Sequence, residues 1–186
     1  MTVKSFCLIL LGGVLVNNYV LQQFLGVSPF LGSAKPETKR VRLGLAVTVV
    51  MVLSAALTWP LQTFVLDRFG LAYFQTLFFV AIILAVVYLV ELVVSKGLHQ
   101  SLGVYFPLIA LNSAVLGVTV NNITDGFNFV ESLVSALGAG LGFLLAMVVF
   151  SGLQGKIQEK YVPKVFRGLP IALLSASIVS LALFAF

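Results

Sequence analysis

Charge is scarce in this chain. Only 9% of its 186 residues are Asp, Glu, Lys or Arg, against 60% hydrophobic residues and a mean hydropathy of +1.13. A soluble domain has more surface than so few charges could cover, so the composition excludes one and indicates a polytopic membrane protein. Cysteine is all but missing. Cys7 alone excludes an internal disulfide and any cysteine cage for a metal built from this chain by itself. Histidine is limited to His99, and no serine–histidine–acid set, P-loop, dinucleotide fingerprint or zinc spacing occurs. The chain therefore has no complete active site of its own. Low-complexity tracts are absent too. The net charge of +5 is no sign of nucleic-acid binding, because the basic residues fall in short loops between apolar runs. There they set topology and meet anionic headgroups.

What is present is a series of charge-free apolar runs. Six spans of roughly the length a helix needs to cross a bilayer cover residues 5–25, 43–64, 72–94, 103–120, 129–153 and 169–186. Runs this long in one chain exclude a barrel, so the expected fold is all-α, a single integral membrane domain over residues 1–186. The N-terminal run has Lys4 but no small-residue cleavage site before Asn17, and is expected to stay as the first span.

The stretch 14–32 stands out. It is apolar yet carries Asn17, Asn18, Gln22 and Gln23, and then breaks at Gly26, Ser28-Pro29 and Gly32. The 30 residues from Ser5 to Ala34 hold no charge. As one helix they would measure about 45 Å, against a hydrocarbon core of roughly 30 Å. A helix to about Leu25 followed by irregular backbone at 26–32 resolves the excess. Non-helical backbone at that depth survives only inside protein or beside water, which makes the stretch a candidate site. Each amide must find a partner. Interhelical hydrogen bonding and a polar path lined by Asn17, Asn18, Gln22 and Asn112 both remain open. Glu91, with Lys96 and His99 after it, offers either a place on an ion path or a carboxylate at the interface held by a nearby cation; the interfacial reading is the expected one, and Glu131 is expected to be similar. Asp125 is a loop residue.

The loops after the first, third and fifth spans hold Lys35, Lys39, Arg40 and Arg42; Lys96; and Lys156, Lys160, Lys164 and Arg167, nine of the 11 basic residues. The positive-inside rule puts those loops in the cytoplasm and both termini outside. Three spans per half means that duplicated halves, about 1–98 and 99–186, would be inverted repeats. Val16-Asn17-Asn18-Tyr19-Val20-Leu21 echoes Leu111-Asn112-Ser113-Ala114-Val115-Leu116, and the second span from Leu43 echoes the fifth from Leu137. Such repeats build midplane sites from interrupted helices, here the first and fourth. Gly138, Gly140 and Gly142 are expected to be close-packing glycines.

The segments VNNYVLQQFLGVSPFLG, PLIALNSAVLGVTVNN and FRGLPIALLSASIVSLALF carry a resemblance. Over essentially its whole length the chain resembles the A-type membrane subunits of Rnf electron-transport complexes, a family that includes the homologous E-type subunits of the sodium-pumping NADH:quinone reductase. The resemblance implies a bacterial inner-membrane complex that moves electrons between ferredoxin and NAD and couples them to sodium or proton translocation. Its implied partners are a paralogous E-type Rnf protein of opposite orientation and subunits bearing flavin and iron–sulfur groups. It also implies one [2Fe–2S] cluster inside the membrane, held by two cysteines of the A-type chain and two of the paralogue. By motif those two cysteines fall on Ser28 and Ser113, so both thiolates are replaced by hydroxyls. Three roles follow: a redox subunit of an Rnf-type complex, a cluster-free structural subunit of one, or a small inverted-repeat transporter.

Overall fold

Helix formation stops early in the first span. The computed structural model describes residues 3–27, 37–97, 109–156 and 162–184. Helix α1 runs Val3–Leu11 and passes into one wide π-turn, Gly12–Val16, closed by the Asn17 N–H on Gly12 O. Beyond it the backbone is irregular to residue 27. This corrects the helix expected to reach Leu25. The break lies at the asparagines, not at the Gly/Pro cluster, because Asn18 offers the backbone an alternative to the helical ladder. Its Oδ1 accepts from Val20 N–H at 3.0 Å and Leu21 N–H at 3.2 Å. Phe24, at φ 55°, and Gly26, at φ 75°, then turn the chain through the left-handed region.

Helix α2 spans Glu37–Leu61 and continues through a π-turn, Gln62–Leu66, to a last turn, Asp67–Phe69, ended by left-handed Gly70. Pro60 sits just ahead of the π-turn. With no N–H to give to residue 56, it interrupts the regular ladder where the bonding pattern widens. Helix α3 covers Gln75–Gly97. The expected fourth span is interrupted within its described part: Ile109 and Ala110 are helical, Leu111 and Asn112 are not, and α4 starts again at Ser113 and runs to Thr124. The earlier part of that span, 103–108, lies outside the described residues, as does the boundary at 98–99 between the proposed halves. Helix α5 is Phe129–Lys156 and α6 is Leu169–Phe184.

The described residues contain no strand, and helices make up most of them. Three of these helices are long and apolar enough to cross a membrane: Val41–Phe69, Ala72–Val93 and Phe129–Leu153. Segment Pro170–Ala182 is a shorter apolar helix.

Helix α5 lies at the centre, packed against α1, its π-turn, α2, α4 and α6. Its glycines make this possible. A Cβ at Gly138 would meet Leu10 O at 2.9 Å, and one at Gly142 would meet Gly13 O at 2.8 Å, so this edge lets α1 lie on α5 backbone to backbone. Gly140 opens toward Thr48 of α2 instead. These are close-packing glycines, as expected. Around them Val47, Met51, Val118, Phe143 and Met147 form a common core with Tyr19, Val20 and Leu21 of the broken segment. The contrast with α3 is large: 22% of its most apolar window is buried inside the chain, against 56% for α5. Leu77, Leu84, Tyr88 and Leu89 of α3 face outward, toward lipid or partner helices.

Candidate functional site at the junction of two broken helices

Asn18 organises the first break. It is buried, and all four of its hydrogen-bonding positions are used: Nδ2 donates to Val14 O at 3.0 Å and to Gly142 O at 2.9 Å, while Oδ1 accepts the two N–H groups already named. One side chain thus ends the π-turn, starts the next turn and ties both to α5. Asn112 plays the capping part at the second break. As the residue before α4 it accepts from Ala114 N–H at 3.0 Å. In capping role it is Asn18 that matches Asn112, one register away from the pairing of Asn17 with Asn112 suggested by the sequence echo. Asn17 itself is exposed, Gln23 is exposed, and Gln22 is half-buried.

The two breaks touch. Gly26 N–H donates to Ser113 Oγ at 2.8 Å, bridging 87 positions of sequence. A Cβ at Gly26 would fall 2.5 Å from Asn112 Oδ1 and 2.9 Å from Ala114 Cβ, so only glycine fits both the left-handed φ and the approach. Ser113 is exposed beside buried Asn112, whose Nδ2 has no partner among the described residues. Ser28 lies outside the described residues.

Further contacts brace the segment. Tyr19 Oη accepts from Asn121 Nδ2 at 3.4 Å, and Ser180 Oγ of α6 donates to Leu21 O. Nothing in the sequence distinguishes Asn121 or Ser180 from ordinary helix-packing residues. Glu131 corrects a second expectation. Its Oε2 accepts from Asn128 N–H at 3.0 Å, capping the start of α5, and among the described residues no cation pairs with it. Glu91 is half-buried on α3, Cys7 is exposed on α1, and His99 lies outside the described residues. Among the described residues no group of three or more His, Cys, Asp or Glu is placed to hold a metal.

This arrangement can be set beside known proteins. The family model described as "Rnf-Nqr subunit, membrane protein" matches residues 6–186. The chain belongs to the Rnf-Nqr family. Within it, the chain is 47% identical over 186 residues to the A component of the ion-translocating oxidoreductase complex of Syntrophotalea carbinolica, covering 98% of this chain and 96% of that one. It is 45% identical over 181 residues to the A component of the Na(+)-translocating ferredoxin:NAD(+) oxidoreductase complex of Acetobacterium woodii, covering 96% and 94%. The corresponding A component from Aliivibrio fischeri is 40% identical over 185 residues, covering 98% and 96%.

The donors at the junction do not fit the [2Fe–2S] cluster that the resemblance implies. Such clusters are held by soft, deprotonated sulfur. Ser113 presents a hard, weakly acidic hydroxyl that already accepts the Gly26 N–H.

Proposed function

We propose that this chain is the A-type membrane subunit of an Rnf-type ion-translocating ferredoxin:NAD oxidoreductase, acting within the assembled complex and without a catalytic centre of its own. The observation that carries this reading is the 45% identity, across 96% of the chain, to a protein whose name states that activity. The junction of two broken helices supports it, since interrupted helices from opposed repeats are a way to build a site inside a bilayer. On this reading the halves, about 1–98 and 99–186, are inverted repeats within one integral domain of six spans. The termini lie outside the bacterial inner membrane, and the partners are the paralogous E-type protein and the flavin- and iron–sulfur-bearing subunits.

The serines at positions 28 and 113 favour a more specific version, in which the chain supports its neighbours but supplies no cluster ligand. The test is purification of the tagged chain from detergent-solubilised membranes. Recovery with flavin- and iron-bearing subunits, and with ferredoxin-dependent NAD reduction, is the expected result. A chain that purifies alone and transports solute in vesicles would overturn the reading in favour of the transporter. Iron and acid-labile sulfide falling one [2Fe–2S] short of a cysteine-bearing relative's complex is expected for the cluster-free version, and equal content would refute it.

A further inference from the structure

Away from the junction, the core holds a stripe of buried polar side chains. Ser54, Thr58 and Gln62 recur every four residues along one face of α2, and all three are buried. Helices α4 and α5, which pack on α2 and on each other, bury Thr119, Asn122, Ser132 and Ser135. The outer ends are fixed together by Trp59, whose Nε1 donates to Phe127 O at 2.8 Å and whose ring meets Phe129 edge-on at 5.5 Å.

The hydrogen bonding of this group is lopsided. Asn122 Nδ2 donates to Ser132 O at 3.1 Å and to Ser132 Oγ at 2.9 Å, and Gln62 Nε2 donates to Asp67 Oδ1 at 2.6 Å. Thr58 Oγ1 donates to Ser54 O at 2.8 Å. These donors have acceptors, while three buried oxygens, Ser54 Oγ, Gln62 Oε1 and Asn122 Oδ1, have no partner among the described residues. Hydroxyl and amide oxygens left in this state are suited to a hard cation. The stripe has no titratable side chain, so its residues cannot relay protons by ionising. From Gln62 to Ser54 it extends about 12 Å along α2, ending near the middle of Val41–Phe69. Its other end opens at exposed Asp67, on the side of the bundle that also bears Asp125 and Glu131, three of the chain's six carboxylates. Set against Arg68 and Lys4 on the same side, these three carboxylates leave that face net negative, which favours cations there.

We propose that this stripe is a half-track for a small alkali cation, leading from Asp67 to a midway stop at Ser54. The inference deepens the proposed function and rests on it for the track's purpose, whereas the binding itself is read from the oxygens. The test uses the purified complex with Na+ as probe, following thermal unfolding as NaCl replaces choline chloride at constant ionic strength. The wild-type midpoint is expected to rise with Na+. Ser54→Ala should start higher in choline, because an unpartnered buried oxygen is gone, and should need about tenfold more Na+ for the same rise. Gln62→Leu should lose the rise in the same way, and Ser177→Ala, whose hydroxyl donates to Leu173 O within α6, should keep it. A Na+ response unchanged in both Ser54→Ala and Gln62→Leu, or none in the wild type, overturns the track. Subunit recovery and ferredoxin-dependent NAD reduction, measured on the same preparations, report separately on the proposed function.

Discussion

Asn17 and Asn18 are adjacent and chemically identical, yet their surroundings make them unequal. Asn18 is 1% exposed and bonded at four points, to its own turn and to Gly142 across the interface, whereas Asn17 is exposed. Truncating Asn18 removes these bonds and leaves the Val20 and Leu21 N–H groups without their acceptor. Asn18→Ala is therefore expected to destabilise the fold by about 2–4 kcal/mol. Asn17→Ala should stay within about 0.5 kcal/mol. Reversible unfolding in mixed micelles measures both, and equal losses would show that Asn18 is not the pin. Ser113 gives a second residue-level expectation. Its hydroxyl sits where the Gly26 N–H already points, and that N–H would equally serve a thiolate. The double change Ser28→Cys with Ser113→Cys is expected to add a [2Fe–2S] signal in electron paramagnetic resonance of the complex, and neither single change to do so fully. No gain in iron from the double variant would refute the assignment of those positions.

At the level of elements, the packing of α1 on α5 depends on missing side chains. A Cβ at Gly142 would press on the Gly13 carbonyl at 2.8 Å and on Asn18 Nδ2 at 2.9 Å, and one of those obstacles is backbone. Gly142→Ala is expected to cost about 1–3 kcal/mol and to loosen the π-turn. Gly152, on the same helix, has nothing within 4 Å of its would-be Cβ. Gly152→Ala should be neutral or stabilising by up to about 1 kcal/mol, since alanine is the better helix former. The paired unfolding measurements separate packing from propensity. These glycines were legible in the sequence because small residues at i and i+4 in an apolar run have few other uses. The long helices α2, α3 and α5 were legible for a similar reason, as uninterrupted apolar runs. The end of α1 was not. Glycine and proline at 26–32 advertised a break, but the backbone yields earlier, where an asparagine side chain captures two N–H groups and α5 supplies a carbonyl for its amide. That capture depends on Gly142, 124 residues away, and no local pattern displays it. The capping role of Glu131 is hidden in the same way, because its charge invites a cation while its position beside Asn128 decides otherwise. The buried stripe on α2 is not legible either, since serine, threonine and glutamine spread over nine positions look like ordinary tolerance of polarity in a helix.

For the whole molecule, the decisive asymmetry is in its charges. Nine of the 11 basic residues fall at 35–42, 96 and 156–167, which the proposed six-span topology puts on one side, with only Lys4 and Arg68 on the other. Placing a Lys or Arg at the centre of a bilayer costs roughly 2.5–3.5 kcal/mol on insertion scales, so translocating the basic loops is the harder route for the chain. On the proposed topology Asp67, Asp125 and Glu131 fall on the opposite side and meet ions outside the cell. An alkaline phosphatase fused after Phe186 is therefore expected to be active, and a green fluorescent protein fused there to be dark. Fusions placed after Gly97 should behave in the opposite way. The reverse pattern would put Asp67 in the cytoplasm, and would turn the proposed cation track from an outlet for exported ions into an inlet.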